Sequence, residues 1–363
     1  MQRRSFVHDC AGWYYMMTPR RWYYAKLAAF SAFPFLPLLV PVSYYAGVPW
    51  LTPAFAFIGI PVLDLLMGPD LTQPLASPAP RLAVAWLRTI PRLYCFLWVG
   101  MLIWAAHALA FEATGSAAAC LLVSVAVATA FATCVAHELL HWPSAFDRGL
   151  ARVIMATVAY GPFPIEHLHH HAMVGLPSEG TTPPLGQSVW RAVAKNALFT
   201  LRSAWGIERR RQLAKHLPLL GNRYIQQWLL TALIIGLFVI IGGTWGLVLF
   251  VAQAAFGVFT TEYVNYAQHY GLSRESRDPP RGSLSWNSNS FMTNAFTLNI
   301  TRHVHHHLDA GVPYYDLKHI ESMPLLPGGY LTLFFPAMIP PVWRRLMDAR
   351  ARQFATSPDL RTR

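Results

Sequence analysis

Eleven of the chain's fifteen histidines fall in four short clusters, each beside an apolar segment. In HELLH, His137 and His141 are four residues apart, so a continuous helix presents both from one face. RHVHHH contains HxxHH as His303, His306 and His307, whose offsets of three and four again share a face and turn His305 away. EHLHHH repeats the pattern with His167, His170 and His171 and leaves His169 aside. His269, in NYAQHYGL, stands alone, and its spacing fits a ligand or a structural residue equally well. Imidazole is the commonest nitrogen ligand for first-row metals and is costly to bury without a partner, so the grouping points to metal. One tetrahedral zinc takes about four ligands. Nine candidates suit two ions with four or five nitrogens each. With no thiolate among them, softness alone admits zinc, copper, nickel or iron. His8, His107, His216 and His319 lie outside the clusters and are read as taking no part.

The carboxylates beside these boxes, Glu138, Glu166, Glu262 and Asp309, are natural acceptors for a ring N–H and would fix the tautomer of a liganding histidine. Asp64 lies in or at the end of an apolar run, where it marks either an interfacial helix end or support for the site. Alone, HELLH fits the HExxH of zinc proteases with Glu138 as general base. That reading leaves about seven clustered histidines without a role. Cys10, Cys95, Cys120 and Cys134 form no CxxC pair, so no iron–thiolate centre is built in and electrons for redox chemistry must come from a separate protein.

The elements that position the boxes are hydrophobic. The 363 residues are 54% hydrophobic and 13% charged, against roughly a quarter charged in soluble domains. Since about 20 residues cross a bilayer core, six spans are expected, near 27–48, 51–67, 93–110, 116–136, 226–241 and 247–261. The positive-inside rule orients them. Arg3, Arg4, Arg20, Arg21 and Lys26 precede the first span, and Arg81, Arg88 and Arg92 follow the second. Arg148, Arg152, Lys195, Arg202, Arg209, Arg210, Arg211, Lys215 and Arg223 follow the fourth span, and Arg344, Arg345, Arg350 and Arg352 mark the tail. These segments are expected in the cytoplasm with both termini and all four clusters. The connectors at 47–50, 111–115 and 242–246 hold one charged residue, Glu112, and face out. No cleavable signal peptide is evident, and the first span is expected to serve as its own targeting signal. The net charge of +12 is spread over connectors without interleaved aromatics, so it reads as topology and lipid contact and not as nucleic-acid binding. Pro74 to Pro80 reads as a loop, no fixed-period repeat occurs, and residues 1–363 read as one all-α integral membrane domain. The spans offer almost no polar residues to pass an ion, which opposes a metal transporter.

With the boxes stand PVLDLLMGPD from Pro61, NYAQHYGL from Asn265, SWNSN from Ser285 and IPPVWRRLMD from Ile339. In these stretches the chain resembles the membrane di-iron hydroxylases typified by alkane 1-monooxygenase and xylene monooxygenase, within the wider membrane fatty-acid desaturase superfamily. The resemblance runs through about three quarters of the chain, and NYxxHYGL followed by WNSN is more specific to the hydroxylase branch than the three boxes are. It implies two irons, dioxygen as co-substrate, and a ligand set of His137, His141, His167, His170, His171, His269, His303, His306 and His307, which brings His269 among the ligands. It also implies a site at the cytoplasmic mouth of an apolar cavity. The reaction it implies is hydroxylation of a terminal methyl group of an alkane or alkyl chain, with two electrons from a rubredoxin or ferredoxin-type donor and its reductase. Arg209 to Arg211 and the basic tail are candidate donor contacts, and Trp50, Phe55, Phe57, Trp98 and Trp104 candidate lining of the apolar tunnel. The second box departs from the HxxxHH of alkane hydroxylases, being one residue shorter, as desaturases often have it. Desaturation, oxidative decarboxylation to a terminal alkene and aromatic-methyl hydroxylation are the neighbouring outcomes.

Overall fold

The computed structural model describes residues 19–74, 80–176, 178–275 and 284–355. Arg3, Arg4, His8 and Cys10, and 75–79 of the Pro-rich stretch, lie outside these residues. The order is α1 (Pro19–Ala32), a 3-10 turn over Phe33–Leu38, α2 (Leu39–Tyr45), α3 (Leu51–Ala54), a π turn over Phe55–Gly59, and α4 (Ile60–Met67). Then follow α5 (Arg81–Phe111), α6 (Gly115–Leu140), α7 (Ala145–Thr157), α8 (Phe163–Met173), α9 (Val189–Ala214) and α10 (Arg223–His269). The described residues end with α11 (Phe291–Phe296), α12 (His303–Leu308), α13 (Tyr330–Met338) and α14 (Pro340–Ala355). Among the described residues no strand forms, and extended pairing is limited to isolated bridges such as Asn287 with Leu325.

Among the described residues, four helical segments are long and apolar enough to cross a membrane: Arg21–Tyr45, Arg81–Phe111, Gly115–Leu140 and Arg223–His269; Leu51–Met67 is apolar but shorter. At about 1.5 Å per residue, the 26 residues of α6 reach about 39 Å, beyond a core of about 30 Å. The 47 residues of α10 are no straight rod. Gly243 has non-helical dihedrals, φ 55 and ψ −136, between the two expected spans at 226–241 and 247–261. The rings of Phe238 and Phe250 meet at 5.5 Å although they stand twelve positions apart, so the chain doubles back at Gly243. Gly246 permits the closure, because a Cβ there would stand 1.9 Å from the Phe238 carbonyl oxygen.

Apolar packing joins α5, α6, α7 and α10 around buried Trp98, Tyr94, Phe33 and Phe131. A few buried polar groups lock their register, each satisfied as an apolar interior requires. Thr129 on α6 donates to Gln253 on α10 at 3.3 Å, and the Gln253 amide donates to the Thr157 carbonyl at the end of α7. Gly257 lets α10 approach Thr129 and Val158. The histidine-bearing ends of α6 and α10 lie away from the Gly115 start of α6 and the Gly243 reversal, so one end of the bundle carries the boxes.

Candidate metal centre

Each box sits on a short, well-anchored element. HELLH is the last turn of α6, with His141 its C-cap. EHLHHH fills α8, which starts with Pro164 in the first turn, where no backbone donor is needed. RHVHHH is α12, and His269 closes α10. The loop before α11 ties the last two together. Trp286 N–H donates to Gln268 C=O at 2.7 Å, its indole N–H donates to Tyr270 C=O at 2.8 Å, Ser288 N–H donates to Thr301 C=O at 2.9 Å, and Val304 N–H donates to Asn287 Oδ1 at 2.9 Å. The WNSN motif therefore works as a splint between His269 and the third box. Below it, α14 packs Trp343 on Tyr266 at 5.3 Å, and Asp348 accepts from Tyr270 at 2.6 Å, which gives IPPVWRRLMD its place.

All nine proposed ligands converge. His137, His141, His167, His171 and His306 place ring nitrogens within 4.8 Å of one another, as do His170, His269 and His307. His303 joins the second group, its Nε2 lying 3.2 Å from His269 Nε2 and 3.0 Å from His307 Nε2. His170 and His269 Nε2 are 3.3 Å apart, and His167 and His171 Nε2 3.1 Å. Two nitrogens bound at about 2.1 Å to one ion stand about 3.0 Å apart at a right angle and about 3.4 Å at a tetrahedral angle. The buried Nε2 atoms of His137, His141 and His306 meet no hydrogen-bond partner at all. Unpaired buried nitrogens at ligand spacing are costly without an ion and satisfied with one, so these residues fit two metals. His169 is exposed, and His305 turns outward to accept from Lys318 N–H at 3.3 Å.

Electrostatics favour the metal-binding form, neutral imidazole. Burial pushes His141, His167, His303, His306 and His307 well below the usual histidine value, and His171 down to about 2. His170 is the exception. Burial opposes its charge, but Glu179 outweighs that and raises it. Glu179 Oε1 lies 3.2 Å from His170 Nδ1, with Thr181 Oγ1 2.8 Å from the same nitrogen. Burial would raise Glu179, but His170, Thr181 and Thr182 hold it at about 2. Its carboxylate fixes the ring so that Nε2 faces the other histidines. Sequence reasoning missed Glu179, whose one signal is an acid followed by two threonines in the otherwise apolar loop after the second box.

The other carboxylates are placed differently. Glu138 Oε1 accepts from Trp142 Nε1 at 2.7 Å and Tyr314 N–H at 3.0 Å, pinning α6 to the loop after α12. Glu262 accepts from Tyr160 at 2.5 Å and Asn265 at 3.3 Å. Glu166 is buried, and that burial, with Glu179 and Glu262 near, lifts it to about 8 against the pull of His170. Asp64 accepts from Met292 N–H, Thr293 N–H and the Thr293 hydroxyl at 2.6, 3.0 and 2.5 Å, capping α11. Asp309 is exposed and accepts from Gly311 N–H in its own loop. A further acid, Asp70, is buried against Lys26 at 2.7 Å and Arg302 at 3.1 Å, which braces the residue before His303.

Two adjoining cavities lie between α6 and α10. One is bordered by His137, His167 and His303; the other is walled by Phe57, Phe131, Phe256 and Phe334. Of the five aromatics named as candidate lining, Phe57 borders a cavity. Trp98 is buried and donates to Thr157, Phe55 packs on Phe296, Trp104 donates to Tyr45, and Trp50 is exposed.

Comparison with known proteins agrees with this geometry. Residues 113–337 match the fatty acid desaturase family. Alkane 1-monooxygenase 1 of Pseudomonas aeruginosa is 33% identical over 356 residues, covering 91% of this chain and 92% of that protein. The chain belongs to the alkane 1-monooxygenase family. A second family member, alkane 1-monooxygenase 2 of Alcanivorax borkumensis, is 31% identical over 87% of this chain and 88% of its own. The xylene/toluene monooxygenase hydroxylase component of Pseudomonas putida is 28% identical over 59% of this chain and 58% of its own. As an alkane 1-monooxygenase family member the chain is a membrane oxidoreductase. Its shortened second box still delivers His167, whose ring lies 4.5 Å from that of His137.

Proposed function

We propose that the chain hydroxylates the terminal methyl group of an alkane or alkyl chain at a pair of irons. His137, His141, His167, His171 and His306 would hold one iron, and His170, His269, His303 and His307 the other. The observation that carries this reading is the convergence of nine largely buried rings whose Nε2 atoms face one another at 3.0–3.3 Å or meet no partner. The irons, when bound, would supply the oxygen activation and C–H cleavage that no side chain of this protein can perform. The net reaction takes the alkane, dioxygen, two electrons and two protons to the alcohol and water.

The protein's own part is position and exclusion. A methyl group offers no charge or hydrogen-bonding handle, so selectivity must come from shape and from keeping water away. The phenylalanine-walled cavity suits an apolar chain, while Glu179 and the Leu284 carbonyl, 2.9 Å from His269 Nδ1, hold rings in the orientation a ligand needs. The two electrons would come from a separate rubredoxin or ferredoxin-type protein at the cytoplasmic face of the inner membrane, where the boxes and both termini would lie. Arg209 and Arg210 are exposed for such a contact, whereas Arg211 is paired with Glu208 at 2.9 Å. In the tail, Arg344, Arg345, Arg350 and Arg352 are all exposed.

The test is to supply octane to hexadecane under oxygen to membranes holding the chain, a rubredoxin and its reductase, and to measure iron per chain and products. Two irons with primary alcohol, both lost in His306→Ala, support the reading. Two irons with no alcohol, but alkene from added fatty acid, would replace it with desaturation or decarboxylation.

A further inference from the structure

The two cavities share two wall residues, Cys134 and Val264, and the following inference rests on the alkane hydroxylase reading. Cys134 stands three residues before His137 on α6, and Val264 five residues before His269 on α10. Side chains of two facing helices thus border both the histidine cavity and the phenylalanine-walled chamber. The Cys134 thiol donates weakly to Ala130 C=O at 3.4 Å along its own helix, and Val264 has no polar atom, so neither has a chemical task. We propose that Cys134 and Val264 form a neck through which the alkyl chain passes, and that its width selects unbranched chains.

The neck also has a depth. At about 1.5 Å per residue, Cys134 and Val264 lie about 4.5 and 7.5 Å along their helices from the ligand-bearing turns. An extended chain advances about 1.25 Å per carbon, from C–C bonds of about 1.52 Å at tetrahedral angles. The neck therefore grips the chain about four to six carbons from the methyl that reacts. Shorter chains end before it, and longer ones thread it and lodge their tails among Phe57, Phe131, Phe256 and Phe334.

Val264→Phe should close the neck and Val264→Ala open it. The readouts are iron per chain and two ratios of kcat/KM: nonane to pentane, and 5-methylnonane, with its branch at the neck from either end, to nonane. Since each methylene misfit is worth tenfold or more, Val264→Phe should lower the first ratio at least about tenfold, and Val264→Ala should raise the second by about as much. Iron-loaded variants with wild-type ratios would overturn the neck. If Val264→Phe loses iron, Val264→Ala alone decides, because it removes volume and adds none. A wild-type protein that makes no alcohol from any alkane would instead sink the hydroxylase reading itself.

Discussion

At Glu179 burial and hydrogen bonding act against one another, and the bonding prevails. Four groups satisfy the carboxylate: Thr181 N–H at 3.1 Å, the Thr181 hydroxyl, Thr182 at 2.7 Å and His170 at 3.2 Å. Its role is to hold one ring, so Glu179→Ala should weaken metal retention by about 10–100-fold. Iron per chain after dialysis against a chelator measures this, and retention equal to wild type would remove the role. The same assay separates neighbours along α8. His170→Ala should lose iron while His169→Ala, an exposed change, should keep it. Nothing in the spacing of the three adjacent histidines makes that distinction except helical offset, and in the structure His169 is exposed where His170 is buried.

Elements contribute through how they end. The reversal in α10 depends on two glycines for different reasons. Gly243 has open space around its missing side chain but a backbone conformation with φ of +55, whereas Gly246 faces backbone atoms of Phe238 that cannot yield. Gly243→Val and Gly246→Ala should each cost about 1–3 kcal/mol. Thermal unfolding in detergent checks both, and an unchanged midpoint for Gly246→Ala would mean the two halves of α10 separate freely. Asp64 is a second case. Sequence left it between helix end and site support, and it serves the site at one remove by capping α11. Asp64→Ala removes three accepted hydrogen bonds and should cost about 1–3 kcal/mol. It should also loosen the loop carrying WNSN, seen as faster hydrogen exchange at Ser288 and Val304.

For the whole molecule, the Lys26, Asp70 and Arg302 cluster joins the first helix, the loop after α4 and the third box. Burial would raise the Asp70 carboxyl, yet Lys26 and Arg302 together hold it well below the carboxylate range. A depressed folded value means the contribution is full above the unfolded value of about 3.9 and is lost as pH falls below it towards the folded one. The unfolding midpoint should therefore fall as pH drops below about 4. Asp70→Asn should flatten that dependence, and by leaving two buried cations short of a partner it should cost about 3–5 kcal/mol at neutral pH. Thermal scans from pH 3 to 7 of both proteins check this, and parallel acid profiles would assign the acid loss to other groups.

By itself the sequence placed eight histidines on shared helical faces, made the helices carrying them apolar and showed no CxxC pair, since these follow from residue type and period alone; His269 joined the set only through the family resemblance. The reversal inside α10 was also legible, because a glycine-rich, uncharged connector separated two apolar runs. Only the tertiary structure decided what meets across the chain. It sorted the nine rings into two groups, set Glu179 behind His170 from nine residues further along, and left Asp309 exposed in its own loop, accepting from Gly311 N–H. It also joined Asp70 to Arg302, 232 positions apart in the sequence. Helical period fixes neighbours within an element, whereas partners between elements depend on how the bundle packs, which no local pattern encodes.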